Sequence, residues 1–266
     1  MRFSAIAATA GALVLALALA GCGGSGGGSA AKPTNAIEAA ALKTSQAGSV
    51  RADFTISASG VSGTGSGVFN GGGKRSGQFT MNVNSGGKQI SIDSVIDGNT
   101  VYLRSPLISQ RLPGGKEWVK IDLEKAAKAA NVNLNGLIGT NPSPGGALAY
   151  LQGSTAIKKV GSETVDGSPT THYRVVVDLQ QAVNRASGSD KDALEQAIKG
   201  SGSSTQPVDV WVDAQGYVRK LEVQSQASGQ SSDLTMKMHD FGSPVPITAP
   251  ATNEVVDLLQ ALGGGG

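Results

Sequence analysis

The sequence predicts a mainly β chain of the α+β class. About ten or eleven strands would form one antiparallel sheet, with two longer helices in the body and one at the end. Three observations carry that expectation. Apolar and polar residues alternate with a period of two in many short runs, as in Val50, Ala52, Phe54 and Ile56 against Arg51, Asp53 and Thr55. Turn signals such as Gly86-Gly87, Asp97-Gly98-Asn99 and Asp166-Gly167 separate those runs, and strands joined by such tight turns pair antiparallel. Helical stretches are few and rich in Ala.

Taken in order, the chain starts with a leader whose one charged side chain is Arg2, followed by a run of Ala, Leu, Val and Gly from Ala5 to Ala20. An apolar run of that length ending in small residues reads as a signal peptide over residues 1–21 rather than a membrane span. Leu19-Ala20-Gly21-Cys22 matches the bacterial lipobox, in which a small residue precedes a cysteine that is acylated on sulfur before cleavage. Cys22 is the only cysteine in the chain. The mature chain is expected to begin there, carrying palmitate-like acyl chains, since two chains give stable anchoring where one does not. An ordinary secretory signal or an uncleaved anchor helix is the alternative. Residues 22–34 have the Gly/Ser composition of a flexible tether. The expected location is the extracytoplasmic face of the cell membrane, held by the N-terminal lipid.

Without the leader, 245 residues remain and no low-complexity break divides them, so a single domain is expected over 35–262. Formal net charge is +2 for the full chain and +1 once the leader with its Arg2 is removed, and near neutrality argues against nucleic acid as a partner. Once Cys22 is acylated no cysteine is left for a disulfide, and stability must come from burial and backbone pairing.

Asn35 with Glu38 three residues on is a capping-box pattern. It predicts a helix from Ala36 to about Ala47, stopped by Gly48, with Ile37, Ala41 and Leu42 as a narrow apolar stripe. Strand alternation follows at Val50–Ile56, Phe79–Val83, Ile90–Ile92 and Val101–Leu103, with glycines punctuating the second strand region over 60–73. Glu117–Ile121 is another short strand, and Asp122 can cap a helix from Leu123 to about Ala130. Residues 131–146 read as a long loop and Ala147–Leu151 as one or two helical turns. Ile157–Val165 and His172–Asp178 are strands, a helix is expected around Asp190–Lys199, and Val208–Asp213 with Tyr217–Gln226 form a hairpin. Leu234, Met236 and Met238 mark a last long strand. Pro244, Pro246 and Pro250 force an extended exit, and Glu254–Leu262 reads as a closing amphipathic helix.

The order of motifs in this chain is familiar. Val160-Gly161-Ser162-Glu163-Thr164-Val165-Asp166-Gly167, then His172-Tyr173-Arg174-Val175-Val176-Val177-Asp178, then Pro207-Val208-Asp209-Val210-Trp211-Val212-Asp213, then Asp240-Phe241-Gly242-Ser243-Pro244-Val245-Pro246-Ile247 resemble the LppX/LprG group of actinobacterial envelope lipoproteins. Thr44 to Phe54 resembles that group's passage from helix to first strand, and together these motifs span most of residues 35–250. The group is similar in fold to the LolA/LolB lipoprotein carriers. The resemblance implies a strongly curved antiparallel sheet, an incomplete barrel, with helices across its concave side and an apolar cavity between. It also implies acylated lipids or glycolipids as ligands. This chain departs from the group in its glycines over 60–73 and its few aromatics.

Little in the residues points to catalysis. His172 and His239 sit among polar alternates and read as surface or hairpin histidines, with no second ligand at metal spacing. Asp209 and Asp213 read as solvated strand-edge carboxylates. Gly23-Gly24-Ser25-Gly26-Gly27 fits the serine-nucleophile pattern but lacks the strand before and the helix after that the motif needs. No enzyme activity and no cofactor are expected.

The chain's specificity lies in its apolar stripes. Phe54, Ile56, Phe79, Met81, Val83, Ile92, Val175, Val177, Val210, Val212, Leu221, Val223, Met236 and Met238 would line one face of the sheet as a lipid cavity, with Leu134, Leu137, Ile138 and Leu148 at its mouth or lid. A sheet face covered by helices is apolar with or without a ligand, and that reading stands beside the first. Methionines suit flexible acyl chains. The expected role is binding acylated lipids or glycolipids for transport or presentation in the cell envelope, with a transporter as a further partner. The alternative is an envelope sensor or scaffold that carries no lipid.

Overall fold

The computed structural model describes residues 34–58, 60–71, 76–123, 125, 144–186, 191, 194–195, 198, 203–227, 230–242 and 245–258. The leader, Cys22, the tether, and Leu134, Leu137 and Ile138 of the expected lid lie outside these residues, as does most of the helix expected around 190–199.

Helix α1 (Ala36–Ser45) starts where the sequence places it. Asn35 Oδ1 accepts from the Ile37 and Glu38 amides at 3.0 and 2.9 Å, satisfying two N–H groups the helix leaves open. The return half of the box differs: Glu38 accepts from the amide and hydroxyl of Thr34, not from Asn35, and pairs with Arg185 at 2.6 Å. Five strands follow, β1 (Ser49–Ala58), β2 (Val61–Asn70), β3 (Ser76–Ser85), β4 (Lys88–Asp97) and β5 (Thr100–Arg104). Short helix α2 (Pro106–Ser109) leads to β6 (Trp118–Asp122). Helix α3 (Pro144–Tyr150) precedes β7 (Ser154–Val165) and β8 (Ser168–Asp178), then α4 (Leu179–Arg185), capped by Asp178 on the Gln181 amide. β9 (Thr205–Asp213), β10 (Val218–Ala227), β11 (Gln230–His239) and β12 (Val255–Asp257) follow.

Among the described residues, twelve strands form one curved, open sheet in the order β12-β6-β5-β4-β3-β2-β1-β11-β10-β9-β8-β7. It consists of two meanders, β1 to β6 and β7 to β11, joined where β1 pairs antiparallel with β11. The twelfth strand corrects the expected count of ten or eleven and replaces the start of the closing helix expected at Glu254–Leu262. Val255–Asp257 pairs in parallel with Trp118–Lys120. The β-branched pair Val255-Val256 suits that edge, and the Glu117 amide bonding Glu254 O locks the register. Residues 245–251 cross the outer face as a strap, held at Asn70, whose side chain exchanges two bonds with the Val245 backbone at 2.7 and 2.8 Å.

Helices α1, α3 and α4 cover the inner face of the β8–β11 half. Ile37, Ala40, Ala41, Leu148, Leu151 and Leu179 pack there against Val175, Val177, Val208, Val210, Leu221 and Met236, all nearly inaccessible. Fully burying one such Leu, Ile or Met side chain contributes about 1.5–3 kcal/mol. Leu42 of the expected stripe is half-buried, whereas Ala40 and Thr44 join the buried face. Thr44 Oγ1 accepts from the Val218 amide at 2.9 Å and so fixes the end of α1 to the start of β10.

Candidate functional site

Strand alternation builds the inner face in rows, and burial changes systematically from row to row. Ile56, Gly63, Val83 and Ile90 form one row across β1 to β4, and Phe54, Gly65, Met81 and Ile92 form the next. In these rows Ile56, Val83, Ile90, Met81 and Ile92 are half-exposed. Two rows further on, Val50, Phe69, Ile96 and Val101 are buried. There Phe69 meets the Phe54 ring edge-on at 6.1 Å and stacks on Phe79 at 6.2 Å, so aromatic rings close that end.

Between the two bulky strands, β2 offers glycine at three successive inward positions. Gly63, Gly65 and Gly67 lie opposite Ile56, Phe54 and Ala52 on one side and Val83, Met81 and Phe79 on the other. The reason is close approach: a Cβ on Gly67 would come within 2.5 Å of Phe79 Cβ, and one on Gly65 within 2.7 Å of Thr80 O. Gly63, Gly65 and Gly67 thus form a side-chain-free floor, and Met81 and the isoleucines stand beside it.

The expected cavity residues therefore divide. Phe54, Phe79, Val175, Val177, Val210, Leu221, Met236 and Met238 are packed into the core, whereas Ile56, Met81, Val83, Ile92, Val212 and Val223 are half-exposed. Leu148 does not sit at a mouth: it is 2 % exposed and packed in the core with α1.

The outer face carries polar structure that the sequence reading missed. His172 is buried, with Nδ1 2.9 Å from Glu163 Oε1 and Nε2 2.7 Å from Asp209 Oδ1, and its ring stacks on Trp211 at 4.1 Å. Trp211 Nε1 donates to Glu163 Oε2 at 2.8 Å, and Lys220 lies over the Trp211 ring. The Trp211 hydrogen bond first, and the His172 bond after it, hold the Glu163 carboxyl below its ordinary value. Asp213 is likewise buried, taking Arg219 at 2.6 Å and the Tyr217 amide at 2.9 Å, so neither aspartate is a merely solvated edge group. The signal was available in part, since Glu163, His172, Asp209 and Trp211 all fall on outward positions of adjacent strands.

Beneath the strap lies a polar cleft of about 750 Å³, lined by residues that include Arg51, Asp53, Asp93, Arg104, Trp118, His239 and Glu254. Its cations are matched with acids: Arg104 donates to Asp93 at 2.9 Å and Glu117 at 3.1 Å, and His239 lies 3.3 Å from Asp53 and 3.1 Å from Asp240. These carboxylates raise the Arg104 guanidinium further above its already high value, the hydrogen bond to Asp93 most. Among the described residues, no group of three or more His, Cys, Asp or Glu side chains is placed to hold a metal ion, and no helix is long and apolar enough to cross a membrane.

The described residues thus form an open, curved, mainly antiparallel sheet with helices packed on its inner face. No protein-family model matches the chain. It is similar to an uncharacterised 31.2 kDa protein of Streptomyces griseus, 31% identical over 159 residues, covering 58% of this chain and 52% of that protein. It is also similar to a Streptomyces coelicolor protein named only as a candidate lipoprotein, 25% identical over 153 residues, 56% of this chain and 45% of that one. The chain spans about half the length of the curated relatives it matches. Among solved structures it is similar to LprF of Mycobacterium bovis, with TM-score 0.49 and 13% identity over 81% of this chain and 95% of that one. The lipoprotein LppX of Mycobacterium tuberculosis gives TM-score 0.46 and 13% identity over 80% and 98%.

Proposed function

We propose that the protein is a membrane-anchored lipoprotein that takes up the acyl chains of envelope lipids or glycolipids on the half-exposed rows of β1 to β4, and carries or presents them within the envelope. The observation that carries this reading is the burial gradient: apolar side chains of one face are sealed toward Phe69 and left half-exposed at Ile56, Met81, Val83, Ile90 and Ile92. An acyl chain laid along the glycine floor would gain about 0.8 kcal/mol for each methylene removed from water. Met81, unbranched and polarizable, adapts to chains of different shape. Uptake is by partition, with the polar head left at the rim, and the reading assigns no catalytic residue and no cofactor. The lipobox at Cys22 supports the anchor, and so does the lipoprotein name of the Streptomyces coelicolor relative. An envelope transporter would serve as donor or acceptor of the lipid.

A second reading, a sensor or scaffold that carries no lipid, is favoured by the other half of the face. Val175, Val177, Val210 and Met236 are all 0% exposed there, closed by the protein's own helices.

Native mass spectrometry with organic extraction distinguishes the two, using residues 30–266 expressed without the lipobox. The expected result is lipid at close to one per chain, lost in Met81→Trp and Ile92→Trp, and kept in Val160→Trp at an exposed site on the edge strand. Circular dichroism of each variant checks the fold. A lipid-free protein that also refuses added phospholipid and glycolipid would sink the carrier reading.

A further inference from the structure

The strand ends can be followed across the sheet from the point where the N-terminal segment leaves it. Asn35 Nδ2 donates to Ser154 O at 3.3 Å, and Ser154 opens β7. From Ser154 the pairing runs to Val177, then Gln206, whose side chain bonds Gln224 O, then Asp233, Ser57, Ser62, Asn84 and Gln89. The other end of α1 is fixed to the opposite end of the sheet, where Thr44 holds the Val218 amide and Lys43 bonds Gln215 O. The N-terminal chain therefore leaves at the same end as Ile56, Val83 and Ile90, one position inside the row of Ser57, Asn84 and Gln89. Rings of Phe54, Phe69 and Phe79 close the apolar face toward the far end.

We propose that this shared end is a bilayer-docking surface, so that the anchored domain stands with its half-exposed apolar rows facing the membrane that holds it. The inference rests on lipidation of Cys22 as proposed above. Twelve peptide units separate Cys22 from Thr34. A Gly/Ser-rich segment of that length spans at most about 40 Å, with a typical end-to-end distance of about 19 Å. The ten-residue strands are about 33 Å long, so the chain-exit end reaches the bilayer with the tether at its ordinary extension. Bringing the far end down would stretch the tether over most of its length, which Gaussian chain statistics disfavour about a hundredfold. The rim suits a lipid surface: the β3–β4 turn is Gly86-Gly87 with Lys88 beside it, small residues and one cation. Lipid entering from the bilayer then meets Ile90 and Val83 first and Met81 and Ile92 next, without crossing water on the way.

Because Cys22 is the only cysteine, an added cysteine in the lipidated protein is its one free thiol. The full chain, carrying either Ser85→Cys at the shared end or Gln215→Cys at the far end, is labelled with an environment-sensitive dye. It is then placed in phosphatidylethanolamine/phosphatidylglycerol vesicles containing a headgroup-bound quencher. Quenching at least threefold stronger at position 85 than at 215 is the expected result. Equal quenching, stronger quenching at 215, or a protein that does not partition with membranes would overturn the proposal. Lipid occupancy measured on the same samples separates the two ideas. Retained acyl ligand with unbiased labels rejects the docking surface alone, and biased labels without ligand uphold docking while rejecting the carrier.

Discussion

Glu163, His172, Asp209 and Trp211 form a cluster in which each polar atom has a defined partner. His172 Nδ1 lies against one Glu163 oxygen and Nε2 against Asp209 Oδ1, while the second Glu163 oxygen accepts from the indole of Trp211. The Glu163 carboxyl is held below its ordinary value of 4.5, chiefly by that indole bond. The sign follows directly: a depressed folded value means a stabilising contribution present above 4.5 and lost as pH falls through the lowered folded value. In a Trp118→Phe background, which leaves Trp211 as the one indole, emission should hold steady down to the ordinary carboxyl range and change below it. Glu163→Gln should remove that acid transition. An unchanged transition in the variant would place its origin elsewhere. These partners were hidden in the sequence because they stand 9, 37 and 48 residues apart, and only strand register brings them together.

At the scale of elements, the sequence was most legible where a period could be counted. Alternation from Val50 to Ile56 and from Leu234 to Met238 placed β1 and β11 within a few residues, and Asn35 placed the start of α1. It was least legible where a non-local partner decides the outcome. Val255-Val256 scans as part of an amphipathic helix until Trp118 and Val119 lie beside it. The glycines of β2 show the same limit: they read as punctuation, yet they mark close approach of β2 to β3. Gly67→Ala should therefore cost about 1–3 kcal/mol, as overpacking does, because its new methyl meets the Phe79 Cβ and Gln78 O. Gly161→Ala, with nothing within 4 Å of the added carbon, should leave stability within about 0.5 kcal/mol of the parent. Urea unfolding of the two variants measures both. Equal stabilities would mean that β2 does not need its glycines.

The whole molecule is two meanders that share one sheet but not one degree of closure. The β8–β11 half is filled by Ile37, Leu148, Leu151 and Leu179 from the helices above it, while β1 to β4 leave two apolar rows half-exposed at the end where the N-terminal chain departs. This division could not be read from the chain, since Met81 and Met236 occupy equivalent inward positions of equally regular strands. Met236 is packed in the core with the helix residues whereas Met81 stays half-exposed, and that is a property of the assembled fold. It also gives the most direct test of the account. Beyond Met1 the chain has three methionines, Met81 at the half-exposed rows and Met236 and Met238 at 0% and 2% exposure in the core. With ¹³C-methyl-labelled methionine, titration of residues 30–266 with a lysophospholipid should shift and broaden the Met81 methyl signal while Met236 and Met238 stay in place. Signals that all remain fixed, or Met236 and Met238 moving as far as Met81, would contradict an acyl site on the half-exposed rows.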